Sequence, residues 1–271
     1  MCQHGSYRLR EHFADIEGEL GRLEAQVANV WSRESAALRR QGLPLDARVL
    51  EIGCGPGFVT ERLLALVPEG SVTGIDNDEY MVELAGSRLA GLKRAEVREG
   101  SVTDTGFPDA SFDAVTARLV FQHLPDPKAA LSEVRRVLRP GGRLFVTDVD
   151  SEWTLILDPK PSGFEAVKEA LSASQAERGG DRTVGHRLPN LLLDAGFSDL
   201  ALELMSLHSA IDGIESITQM LGDVERLEPL VEAGFLAPQV YEEFREFDRG
   251  FRSGELAVAA MLCFFVVSGS A

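Results

Sequence analysis

The residues whose types and spacing could do chemistry begin at Glu51-Ile52-Gly53-Cys54-Gly55-Pro56-Gly57. An apolar strand pattern, Arg48 to Gly53, runs here into E-x-G-x-G-x-G and then into a helical pattern. Glycines are needed in such a turn because the chain reverses tightly and a ligand must approach the backbone with no Cβ in the way. Asp76 closes the next strand pattern, 19 residues beyond Gly57. A carboxylate there can accept hydrogen bonds from both hydroxyls of a ribose. The dinucleotide fingerprint G-x-G-x-x-G is not met, since Phe58 and Thr60 stand where its third glycine would fall. The ligand implied is a nucleoside without a pyrophosphate to seat on the helix N-terminus.

Further along, His123 follows the fourth strand pattern, and Asp148 and Asp150 close the fifth. All three are candidates for catalysis, because ligands of open α/β sheets bind beyond the carboxyl ends of the strands. Imidazole titrates near neutrality, so His123 is the candidate general base, with support of the ligand loop as its other reading. Asp148 and Asp150 could orient a substrate or cap the turn that follows. His186 and His208 lie in the less regular C-terminal part, where a structural role is expected. Trp31, Trp153 and Phe164 could wall an apolar pocket or simply belong to the core.

The elements that must position these residues alternate. Helical patterns at 58–67, 79–91 and 127–138 interleave with strand patterns at 71–76, 94–99, 112–117 and 143–149. This predicts an α/β fold, a Rossmann-like, seven-stranded and mostly parallel sheet with helices on both faces. Before it, Ile16, Leu20, Leu23, Val27, Trp31 and Leu38 recur at helical spacing, an amphipathic helix ahead of the core. After Asp150, helices at 163–178 and 186–195 and a strand at 199–208 are expected, then a helical stretch at 212–254 with 10 acidic and 4 basic residues, then a buried strand at 256–267. The domain reading is a single unit, 1–271: a helical lid at 1–44, a ligand-binding core at 45–150, and a C-terminal half, 151–271, with 212–254 as an insertion before the last strand.

Composition narrows the partners. A net charge of −16, with no Lys/Arg stripe, disfavours nucleic acid and anionic membrane and favours a small neutral or cationic substrate. The lid's acidity points the same way. Cys2, Cys54 and Cys263 are too few and too scattered for a disulfide framework, and no Cys/His spacing suggests zinc, so a metal-free cytoplasmic protein is expected, as monomer or homodimer.

From Glu51 to Gly57, and at Asp76, the chain resembles motifs I and II of the class I S-adenosylmethionine (SAM)-dependent methyltransferases. The likeness continues through Gly100-Ser101-Val102-Thr103-Asp104, Phe107 to Asp113, Arg118 to Pro127, and Val137 to Gly142. SAM has no pyrophosphate, in keeping with the absent glycine. The resemblance implies a SAM-dependent methyl transfer to a small molecule of natural-product or secondary metabolism. It implies that Glu51, Gly53, Cys54, Gly55 and Gly57 frame the methionine portion, that Asp76 holds the ribose, and that Asn77 and Met81 flank the adenine. Val102 would offer its backbone to the ring edge, Arg118 would lie near the amino-acid end, Tyr7 and Gln26 would close over the cofactor, and His123 would support its loop. Many members carry Asp where Ser101 stands, so adenine recognition here would use a hydroxyl or water. Two rivals stay open: a SAM-binding scaffold or cyclase without methyl transfer, and an NAD-dependent oxidoreductase.

Overall fold

The computed structural model describes residues 6–13 and 15–271, so Cys2 lies outside the described residues. Eight strands form one sheet: β1 (Arg48–Ile52), β2 (Ser71–Asp76), β3 (Ala95–Glu99), β4 (Phe112–Arg118), β5 (Leu138–Asp148), β6 (Leu155–Asp158), β7 (Ser198–His208) and β8 (Ala259–Ser270). The first five run parallel in the order β3-β2-β1-β4-β5, and β8 lies antiparallel to β5, β6 and β7.

The expected count was seven, and the register explains the eighth. β8 pairs with β5 through Phe265 to Ser270, with β6 through Ala259 to Leu262, and with β7 through Met261 to Ser270. A strand has only two edges, so β6 must share the β5 edge and prolong it. The path across the sheet is therefore seven strands wide.

Eleven helices join the strands among the described residues: α1 (Leu9–His12), α2 (Ile16–Arg40), α3 (Phe58–Leu66), α4 (Glu79–Arg88), α5 (Pro127–Val137), α6 (Phe164–Glu177), α7 (Leu188–Asp194), α8 (Ser209–Asp212), α9 (Ile214–Leu221), α10 (Glu228–Glu232) and α11 (Pro238–Ser253). Each start has a local cause where a cap is present. Asp15 accepts from Gly18 N, Asp78 from Tyr80 N, and Asp126 from Ala129 N ahead of Pro127.

Alternation along β8 divides the core. Phe265 and Val267 pack with Leu131, Val134, Leu188 and Leu192 on one face, whereas Leu262, Phe264 and Val266 pack with Val30, Ile217 and Phe251 on the other. A third cluster sets Leu38 of α2 and Leu63 of α3 against Val49, Val72 and Phe145. Helices α9 to α11 occupy the 212–254 stretch and, with α2, cover the sheet edge at which β1, β2, β4 and β5 end.

Candidate functional site

The turn after β1 is built by backbone conformation. Gly55 has φ 52°, and a Cβ there would meet nothing within 4 Å, so left-handed geometry rather than crowding demands glycine. Gly53 faces both constraints: φ is 65° and a Cβ would sit 2.5 Å from Val120 Cγ2. Because β1 and β2 are neighbours, with Ile52 opposite Ile75, Asp76 emerges beside the turn. Its Oδ2 accepts from Gly55 N at 2.9 Å and its Oδ1 from Asp78 N at 3.0 Å. Burial pushes the Asp76 pKa up, and these backbone donors oppose the rise.

Glu51, on the last turn of β1, is 2 % exposed and accepts from the Thr60 hydroxyl at 2.6 Å. Burial raises its pKa to about 8, with Thr60 opposing and Asp76 adding to the effect. A buried carboxyl of this kind suits a cationic group that would ionise it.

A cavity of about 1650 Å³ opens at this edge. It is lined by Tyr7, Gln26, Glu51, Gly53, Cys54, Gly55, Asp76, Asn77, Met81, Ser101, Val102, Arg118 and His123, so nearly all the cofactor residues expected from the sequence meet here. The Ser101 hydroxyl lies 2.9 Å from Thr103 Oγ1, and the Cys54 thiol, raised by burial, makes only a long contact with Gly55 O. Gln26 Oε1 is buried without a hydrogen-bond partner among the described residues. An open acceptor in a cavity also lined by the glycine turn and the Glu51 carboxyl fits a nucleoside bearing an amino-acid ammonium.

The cover over the cavity is tied down by polar contacts. Leu9 N donates to Asp78 Oδ2 at 3.0 Å, Ser6 N to His123 O at 3.0 Å, and Tyr7 OH to Glu19 Oε1 at 2.7 Å. Arg118 reaches α2, donating to Glu34 Oε2 and to the Gln26 carbonyl, both at 2.9 Å. It thereby clamps the lid helix to the end of β4. Leu119, immediately after it, holds φ 56°, a left-handed conformation unusual for a branched side chain.

Asp148, Asp150 and Gly57 need correction, and of the candidate wall residues Trp31 and Trp153 do not reach the cavity. Asp148 is fully buried and absent from the cavity wall; its oxygens accept from Gln122 N at 3.2 Å and Val149 N at 2.9 Å, and burial lifts its pKa to about 7. Asp150 is equally buried and accepts from Glu152 N and from both His186 N and His186 Nδ1, the last at 2.6 Å. Both carboxylates turn inward to organise the loop after β5, because that loop offers backbone N–H groups that need acceptors. Gly57 caps α3 and packs on α4, where a Cβ would lie 3.3 Å from Ala85 Cα, so it shapes the turn without touching the cavity. Trp153 is 54 % exposed and off the cavity, and Trp31 packs beside the α2–α3 core.

His123 does face the cavity, with Nδ1 2.7 Å from Ser6 Oγ and its ring 5.4 Å from that of Tyr7. Burial, then Arg182, Arg178 and Arg22, bring its pKa down to about 3, so the imidazole is neutral at working pH and weak as a base in this state. His208 caps α8 and takes no part in the cavity.

Phe164, a candidate pocket wall from the sequence, does line the cavity, while other lining residues were not singled out. Phe164, Phe244, Phe247 and Phe251 form a row with successive ring centroids 6.4, 5.7 and 5.9 Å apart, and all four line the cavity. The spacing of Phe244, Phe247 and Phe251 is a helical stripe that could have flagged them. Glu19, Arg22 and Arg226 could not be singled out, since charges on an amphipathic helix ordinarily face solvent. Among the described residues no group of three or more His, Cys, Asp or Glu could hold a metal ion. No described helix is long and apolar enough to cross a membrane.

The glycine turn, the Asp76 carboxylate and the strand order together make the Rossmann-like fold of the SAM-dependent methyltransferases. A protein family described as "Methyltransferase domain" matches residues 50–146, the segment that carries this turn. It is 36% identical over 197 residues to an uncharacterized 37.1 kDa protein in transposon TN4556 of Streptomyces fradiae, covering 71% of this chain and 56% of that one. It is 38% identical over 156 residues to the 27-O-demethylrifamycin SV methyltransferase of Amycolatopsis mediterranei, covering 52% of this chain and 55% of the other. The chain spans about half the length of the curated relatives it matches. In fold it is similar to phosphoethanolamine N-methyltransferase 2 of Haemonchus contortus, with TM-score 0.59, 20% identity, and coverage of 90% of this chain and 56% of that one.

Proposed function

We propose that this chain methylates a small apolar molecule, of the kind found in secondary metabolism, using SAM held in the cavity between the sheet edge and the lid. One observation carries the reading: a single cavity is lined both by the glycine turn and Asp76 and by the row Phe164, Phe244 and Phe247. When bound, SAM supplies an electrophilic methyl group on a sulfonium.

The chain's own residues would do the rest. Gly53 and Gly55 admit the methionine portion to the backbone, Glu51 and Gln26 Oε1 offer acceptors to its ammonium, and Asp76 holds the ribose. Asn77, Met81, Val102 and Ser101 bound the adenine. The aromatic row excludes water and aligns the acceptor, and orientation of this sort can supply on the order of 7–11 kcal/mol of barrier reduction. His123 offers a neutral ring nitrogen to the acceptor and needs no charge to do so. The chain works as one domain, 1–44 and 212–254 serving as cover, in the reducing cytosol that its free, buried Cys54 and Cys263 suit.

The relative named for demethylrifamycin supports a natural-product acceptor. The test is incubation with SAM and a panel of aromatic and polyketide acceptors, with mass spectrometry for the gain of one methylene unit. Binding of S-adenosylhomocysteine (SAH) with no product from any acceptor would favour the scaffold or cyclase reading. Tight binding of NAD in place of SAH would overturn both.

A further inference from the structure

One wall of the cavity carries Arg22, Arg178, Arg182 and Arg226, which arrive from α2, the end of α6, the turn beyond it and the turn before α10. Their counter-charges are few. Arg22 is satisfied by Glu19, to which its Nε and Nη2 donate at 2.8 and 2.6 Å. Arg226 shares that same carboxylate at 3.2 Å, and Tyr7 draws on it as well. Arg182 has only a neutral partner, Gln175 Oε1 at 3.1 Å, and its Nε is buried with no hydrogen-bond partner among the described residues. Arg178 has no salt bridge among them.

The carboxylates nearby do not fill the gap. Asp148 lies behind Arg182, but its oxygens are taken by backbone N–H groups. Asp181 is held by Thr183 and Arg187. Glu11, Glu177 and Glu225 are exposed, as are Arg178 and Arg226, and none of the three carboxylates pairs with Arg182. Burial and the neighbouring arginines bring Arg226 down to about 10, as they bring His123 down. In a chain of net charge −16, Arg182 has no carboxylate partner among the described residues. The Arg182 Nε–H, buried and unpaired at a ligand cavity, is costly unless the ligand supplies an acceptor.

We propose that this wall receives an oxyanion on the methyl acceptor, a carboxylate or phosphate, with Arg182 as the central donor and Arg178 and Arg226 beside it. The inference rests on the cavity being the methyl-transfer site and names the acceptor more closely. With Phe164, Phe244 and Phe247 lining the same space, the acceptor is an apolar body with one acidic group. This differs from the neutral or cationic substrate expected from overall acidity, because the patch around Arg182 is basic although the cavity lining as a whole is acidic. The planar guanidinium suits both oxyanions bidentately.

Calorimetry on SAH-saturated protein tests this with benzoate, phenyl phosphate and their neutral analogue benzamide, in wild type and in Arg182→Met, Arg226→Met and Arg182→Lys. At least one anion should bind about tenfold or more tighter than benzamide, and Arg182→Met should remove that preference while leaving SAH affinity within about twofold. Which anion prevails separates carboxylate from phosphate. Arg182→Lys should keep part of the preference, and Arg226→Met gives a second reading if Arg182→Met fails to fold. Equal affinity for benzoate, phenyl phosphate and benzamide would overturn the proposal. So would loss of SAH affinity with anion binding unchanged, which would assign the arginines to the cofactor's own carboxylate. If SAH does not bind wild type, the methyl-transfer reading fails, and the same titrations on SAH-free protein still decide the arginine wall.

Discussion

Glu51 is protonated in the ligand-free protein at neutral pH, and a bound cation should take that proton away. Its carboxyl has a pKa of about 8, set first by burial and then by the neighbouring Asp76 carboxylate. An ammonium brought within hydrogen-bond distance lowers a carboxyl pKa by about 1–3, which puts the liganded value near 6. At pH 7 the free carboxyl is then about one-tenth ionised and the liganded one about nine-tenths, so binding of SAH should release about 0.8 proton. Apparent affinity should rise roughly ten- to twentyfold between pH 6.5 and 8.5 and level off above that. Calorimetry in buffers of unlike ionisation enthalpy reads the released proton directly, and Glu51→Gln should abolish both the release and the pH dependence. The free protein carries the opposite trend. A carboxyl whose pKa is raised on folding stabilises most below its unfolded value, near 4.5, and that stability is lost as pH climbs through about 8. The loss is on the order of 5 kcal/mol, which SAH offsets by giving the ionised form a partner. Heats that do not depend on buffer, together with a flat affinity profile, would refute the placement of a cation at Glu51.

Asp76→Ala removes the acceptor for Gly55 N and Asp78 N as well as the ribose contact; SAH affinity by calorimetry should fall at least tenfold, and thermal unfolding should report a loss of about 1–3 kcal/mol. Arg118→Met strands the buried Glu34 carboxylate and should cost about 3–5 kcal/mol by denaturant unfolding, with Glu34→Gln in the same chain recovering much of it. With its pKa near 3, His123 changes charge only in strong acid, so turnover between pH 5 and 8 should show no limb that disappears in His123→Asn. Such a limb would mean that the bound acceptor restores the imidazole's basicity.

What could be read from the sequence was what local physics enforces. The turn from Glu51 to Gly57 and the placement of Asp76 follow from the need for left-handed backbone beside a strand end, a requirement that no distant residue alters. The alternation of strands and helices through residue 150 was legible for the same reason, and the long apolar run near the C-terminus read correctly as a strand, displaced by three residues. β6 was not expected, because Leu155–Asp158 is four residues long and forms only where β8 overshoots β5. Asp148 and Asp150 illustrate a different limit. Position at a strand end shows which edge a residue occupies but not whether its side chain points to ligand or to a loop's own N–H groups. The arginine wall is the extreme case, since Arg22, Arg178, Arg182 and Arg226 meet only after the lid has closed on the sheet.

The place of β8 also bears on how the molecule comes into being. It is the last of the eight strands in the chain, yet it sits between β5 and β7 and bonds to both. On the ribosome, residues 48–148 can collapse into a parallel half-sheet while β5 still presents a bare edge. The nascent chain must carry that edge, flanked by apolar side chains on both faces, until some 110 further residues have been made. Chaperone demand during synthesis should therefore concentrate in this interval, and damage to residues 259–270 should cost solubility before it touches the nucleoside pocket.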